Sequence, residues 1–135
     1  MNQLSILLIE DDPDDVELMQ EALKGTDTQY TMHVIGEGDG VLPYLEVCKK
    51  FPNVIILDLN MPKKDGREAL KEIKQHPVFK KIPVIIFTTT KNENEIRRCY
   101  ELGANTYIVK PVSFDALLRV VEDIRSYWMN TASIP

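Results

Sequence analysis

A chain of 135 residues has the length of one domain and enough of it for a core covered on two sides. Its 44% apolar and 27% charged content is ordinary for a globular protein, and a formal net charge of −5 lacks the basic footprint that nucleic-acid binding needs. No run of about 18 apolar residues is present to span a membrane. Cys48 and Cys99 lack metal-like spacing and no signal peptide is in view, so both are expected as free thiols in a reducing cytoplasm.

Along the chain, five short apolar runs alternate with longer helical patterns. The first run is Ile6–Ile9, preceded by Leu4. It leads into an acidic turn and a helical pattern over Asp14–Lys24, where Val16, Leu18, Met19, Ala22 and Leu23 recur at roughly helical spacing and Gly25 is a natural stop. Tyr30–Ile35 is the second run, followed by a helix over Val41–Lys50. Asn53 opens the third, Val54–Leu57, with a helix over Gly66–His76 after it. The fourth, Pro83–Phe87, precedes a helix over Asn92–Leu102 closed by Gly103. Thr106–Val109 precedes the longest helix, Ser113–Trp128. Near-continuous Val, Ile and Leu suits central parallel strands covered on both faces. The alternation predicts an α/β fold, a doubly wound (βα)5 sheet with right-handed crossovers and strand order 2-1-3-4-5. Residues 1–128 are expected to form this domain and 129–135 a short tail, with no further domain.

In such a sheet, ligands sit at the carboxyl ends of the strands, beside the switch between strands 1 and 3. Those ends carry Glu10-Asp11-Asp12, Asp58, Thr88-Thr89-Thr90 and Lys110-Pro111. Carboxylates sharing a pocket repel one another, and a hard divalent cation compensates. Magnesium, or manganese in its place, takes oxygen ligands and commonly uses one or two carboxylates plus a phosphate. Asp11 and Asp58 are the best carboxylate ligands, the Asn60 backbone carbonyl is a third candidate, and Glu10 is expected to act through a metal-bound water. Lys110 supplies positive charge for an incoming anion, and Thr88 supplies a hydroxyl. The set describes phosphoryl transfer to Asp58, chemistry that rests on positioning and charge neutralisation. Asn60 and Thr90 flank the phosphoryl position, where their side chains would tune attack by water.

Each residue has a blander role available. Asp12 or Asp14 can cap the first helix, with Pro13 in its first turn, and Asp14 and Asp15 read as solvated or capping residues. Asp58 alone could belong to a turn. Thr88 alone could be a loop hydroxyl, and Lys110-Pro111 a turn. Their joint placement at four strand ends is what favours a site. His33 and His76 lie outside the set and read as surface or packing residues. On the last helix, Phe114, Leu117, Val121 and Trp128 form one stripe assigned to the core. Val120, Ile124 and Tyr127 form a neighbouring stripe that is either a wide core face or, with Val120, Tyr127 and Ile134, a contact in a C2 homodimer.

The segments ILLIEDD, VIILDLNMPKKDG, PVIIFTTT and GANTYIVKP resemble the receiver domain of two-component response regulators over nearly the whole chain. The resemblance implies a flavodoxin-like fold, Asp58 as phosphoacceptor, Glu10 and Asp11 as the acidic pair, Thr88 as switch hydroxyl, Lys110 as the family's lysine and Tyr107 as switch aromatic. It also implies a cis Lys110–Pro111 bond. Tyr107 is expected to swing inward once Thr88 engages the phosphoryl group, changing the surface of helix 4, strand 5 and helix 5. Lys64 departs from the pattern, standing where methionine is more usual. The long last helix and short tail resemble the single-domain regulators paired with cyanobacterial phytochrome histidine kinases. The implied partner is therefore a histidine kinase, a phytochrome in the narrower match, and the protein a signalling receiver rather than an enzyme, acting only on its own phosphorylation state. A phosphorelay intermediate that passes phosphate to a histidine phosphotransfer protein is the alternative. A magnesium-dependent aspartyl phosphatase is disfavoured because Asn60 stands where a second Asp is usual. A flavin module is disfavoured because an acidic loop follows the first strand where an anion-binding one is wanted.

Overall fold

The computed structural model describes residues 3–26 and 29–133. Five parallel strands form one sheet in the order β2-β1-β3-β4-β5: β1 Gln3–Ile9, β2 Gln29–Ile35, β3 Val54–Leu57, β4 Val84–Thr88 and β5 Thr106–Val109. This is the expected topology. The uninterrupted apolar runs are the central strands, and every residue of β3 and β4 is buried. The edge strands are wetter: β2 alternates exposed and half-buried positions, and β5 is half-buried throughout.

Five helices cover the sheet: α1 Pro13–Lys24, α2 Val41–Val47, α3 Gly66–Gln75, α4 Glu93–Glu101 and α5 Phe114–Arg125. Because strand side chains alternate between faces, the core divides in two. Leu7, Ile9, Ile55, Leu57, Val84 and Ile86 pack beneath α2, α3 and α4, through Leu45, Leu70, Ile73 and Cys99. Leu4, Ile6, Leu8, Ile56, Ile85 and Phe87 pack beneath α1 and α5, through Met19, Leu23, Leu117, Val121 and Ile124.

Asp12 caps α1, its side chain accepting from the Asp14 N–H, with Pro13 in the first turn. Asp65, Asn92 and Ser113 cap α3, α4 and α5 in the same way. α2 stops three residues short of expectation, since Cys48 is already extended (φ −70°, ψ 139°). α5 gives way at Ser126 to a π-helical turn over Ser126–Thr131, where an unbroken helix to Trp128 was expected. Phe114 corrects the assigned core stripe: it begins α5 at the helix rim and is 41% exposed, whereas Ile124 is buried and Val120 packs against the core. His33 stacks on Tyr44 and His76 on Phe79, both packing roles as expected.

The loop after β3 is held from two sides. A Cβ on Gly66 would stand 2.3 Å from the Asp58 carbonyl oxygen, so only glycine lets α3 start so close to the strand end. Lys64, the departure from the family pattern, is tied to Glu72 of α3 by an ion pair, so it braces this loop without entering the strand-end pocket.

Candidate functional site

β1, β3, β4 and β5 all point their carboxyl ends at one place. Glu10 and Asp58 are buried immediately beyond β1 and β3, and Thr88 is buried as the last residue of β4. Lys110 follows β5 and reaches across the sheet end. Its Nζ donates to Glu10 Oε1 at 2.6 Å, to Asp15 Oδ2 at 2.8 Å and to Asp58 Oδ2 at 3.2 Å. The backbone N–H groups of Asp12 and Asn60 add weaker bonds, to Glu10 Oε2 at 3.2 Å and Asp58 Oδ1 at 3.3 Å.

The electrostatics follow from crowding. Burial, helped by the Asp58 charge, pushes Glu10 up to about 7 against the pull of Lys110. Lys110 is pushed above the ordinary lysine range: burial disfavours its charge, but hydrogen bonds to Asp15 and Glu10 and the charge of Asp58 outweigh that. One lysine therefore does not fully compensate the carboxylates around it. Glu10, Asp11 and Asp58 each offer a carboxylate oxygen, all within 4.8 Å of one another, with Asp11 exposed to solvent. An all-oxygen, net-negative set with an open side suits a hard divalent cation.

Thr88 Oγ1 is fully buried and has no hydrogen-bond partner among the described residues. Buried hydroxyls are normally hydrogen-bonded, so this one stands apart from the other buried polar groups of the pocket, Glu10 and Asp58, which are bonded. Tyr107 is half-buried: its hydroxyl donates to the Thr90 carbonyl at 2.8 Å and its ring packs on the core beneath α4. Its backbone N–H, on the open edge of β5, donates to the Tyr100 hydroxyl at 3.0 Å. The Lys110–Pro111 bond is trans, contrary to the cis expectation, and no cis peptide occurs among the described residues. Trans is the lower-energy form of an X–Pro bond, and Lys110 reaches all three carboxylates from it.

The description "response regulator receiver domain" fits residues 6–122 of this chain. The chain belongs to the response regulator receiver domain family. Among curated relatives, the response regulator Rcp1 of Synechocystis sp. is 40% identical over 135 residues, covering 96% of this chain and 92% of the relative. Among solved structures, the phosphorylated cyanobacterial phytochrome response regulator RcpA superposes with a TM-score of 0.92 at 38% identity, covering 98% of this chain and 99% of that one. The manganese-bound form of Rcp1 superposes with a TM-score of 0.88 at 39% identity, with the same coverage. Receiver domains accept phosphoryl groups from histidine kinases, and this receiver is a signalling protein homologous to phytochrome response regulators. None of its described helices is long and apolar enough to cross a membrane.

The receiver's strand ends bring Glu10, Asp11, Asp58 and Lys110 together, and Thr88 ends β4, the strand beside β3. Asn60 is exposed beside Asp58, and Thr90 is half-buried, with its carbonyl taken by Tyr107. Of the dimer positions, Tyr127 is 52% exposed, Val120 packs inward, and Ile134 lies outside the described residues. Asp15 was missed. It reads as one of three acids around a helix cap, yet it holds Lys110; the available signal was its place one turn into α1, over the sheet end.

Proposed function

We propose that this receiver takes a phosphoryl group from a phosphohistidine of a partner kinase, a phytochrome kinase by likeness to Rcp1 and RcpA, onto Asp58. The observation that carries this reading is the convergence of Lys110 on a buried Asp58, with a buried Thr88 hydroxyl that has no partner among the described residues at the end of the adjacent strand. Asp58 Oδ attacks phosphorus as the P–N bond to histidine breaks and its electron pair stays on the ring nitrogen; a phosphohistidine protonated on its other ring nitrogen thereby leaves as neutral imidazole, and Asp58 carries the acyl phosphate. Lys110 turns a donor to the phosphoryl oxygens, and Thr88 supplies its hydroxyl to another. Asp11 and Asp58, with the Asn60 carbonyl and with Glu10 through a water, would hold a magnesium ion, which supplies the remaining charge neutralisation when bound.

The magnitudes divide the labour. Driving a two-state surface from 1:99 to 99:1 takes about 5.5 kcal/mol of differential interaction, and one charge-assisted hydrogen bond contributes only ~1.5–3 kcal/mol. Thr88 therefore shares the switch with Lys110. The output is a changed surface on α4, β5 and α5, reached through Tyr107 and the Thr90 carbonyl. Asn60 and Thr90 set the phosphate lifetime by how they admit water. A homodimer at the end of α5 would form through the exposed Tyr127. The decisive experiment is transfer of labelled phosphate from candidate kinases to wild type and to Asp58→Asn. Wild type is labelled and the variant is not; persistent labelling of the variant defeats the assignment.

A further inference from the structure

An ammonium group has three protons to donate, and Lys110 spends all three on carboxylates. The contacts are unequal. The one to the proposed phosphoacceptor is the longest, 3.2 Å, against 2.6 Å to Glu10 and 2.8 Å to Asp15. Glu10 and Asp15 together draw the ammonium away from Asp58. They differ in how easily they let go. The Glu10 side chain is only 4% exposed, and losing its partner would strand a buried carboxylate. The Asp15 side chain, on the first turn of α1, is 35% exposed, so water can replace the lysine there.

We propose that Asp15 is a positioning residue: it restrains Lys110 on the α1 side of the pocket, and phosphorylation of Asp58 requires that restraint to loosen. The proposal rests on the phosphoacceptor reading of Asp58. Asp15 thereby sets how tightly a phosphoryl group is held without touching it, and any contact that moves α1 changes the reactivity of the pocket. The ordinary role, an acidic residue favouring the helix N-terminus, predicts an effect on stability alone.

The test compares wild type with Asp15→Asn, which keeps the size and an acceptor oxygen but removes the charge, and Asp15→Glu, which keeps the charge. The first measurement is beryllofluoride affinity with magnesium. Asp15→Asn binds about two- to fivefold more tightly, the range of a partly exposed charge pair, and Asp15→Glu returns toward wild type. The second is the side-chain ammonium NMR signal of Lys110 in metal-free protein, which is ordered in wild type and broadens in Asp15→Asn. Equal or weaker beryllofluoride binding by Asp15→Asn, or an unchanged ammonium signal, overturns the proposal. Failure of wild type itself to bind the analogue overturns the phosphoacceptor reading, and this proposal with it.

Discussion

Thr88→Val separates the resting site from the phosphorylated one because it has opposite effects on the two. Without a phosphoryl group the hydroxyl is fully buried and has no partner among the described residues. Keeping a hydroxyl in that condition costs ~1–3 kcal/mol by mutational measures. Valine replaces it with a methyl of similar shape among Val, Ile and Phe neighbours on β4. The variant is expected to be more stable by about 1 kcal/mol, a rise of roughly 3–5 °C in melting temperature for a domain of this size. With a phosphoryl analogue bound, the same change removes a hydrogen bond to a charged acceptor, worth ~1.5–3 kcal/mol. Analogue affinity should then fall roughly 10- to 150-fold. The assay is a pair of melting curves, with and without beryllofluoride and magnesium, plus a direct titration. A variant that melts below wild type without analogue, or binds analogue as tightly, would refute the reasoning about the lone hydroxyl.

Two other expectations follow from the same pocket. Glu10 sits at about 7 because burial disfavours its charge; in the metal-free protein its contribution to stability is full below its ordinary value of 4.5 and is lost as pH rises through about 7. A cation requires the carboxylate, so magnesium affinity should weaken about eightfold from about pH 7.5 to about pH 6, with proton uptake on release measurable by calorimetry in buffers of different ionisation heat; a flat profile, or the same profile in Glu10→Gln, would sink this. Gly66→Ala places a methyl 2.3 Å from the Asp58 carbonyl and 2.6 Å from Leu59 Cα, both backbone and unable to yield. It should cost about 1–3 kcal/mol and slow phosphorylation of Asp58, read by chemical denaturation and phosphotransfer; an unperturbed variant would show that this loop has slack.

The fold was legible because each of its elements announces itself locally. Val54–Leu57 and Val84–Phe87 are short, rich in Val and Ile and apolar without interruption, which suits a strand covered on both faces. Asp12-Pro13 and Gly25 mark both ends of α1. Errors cluster at element ends: α2 stops early, α5 turns π-helical after Arg125, and Phe114 lies at the rim instead of in the core, because packing and cap geometry decide such ends.

By itself, the sequence determined the alternation of strands and helices, and with it which residues stand at strand ends; Glu10, Asp11, Asp58, Thr88 and Lys110 followed from that periodicity alone. Which of them touch was decided only by the tertiary structure. Lys110 meets Glu10, Asp15 and Asp58 across 100, 95 and 52 residues of chain, and no local pattern encodes how one ammonium divides itself among three carboxylates. The trans Lys110–Pro111 bond, the Thr90 carbonyl that holds Tyr107, and the unpartnered Thr88 hydroxyl belong to the same class. Each depends on distances set by packing two helical layers against one sheet, and those distances exist only once the whole chain has folded.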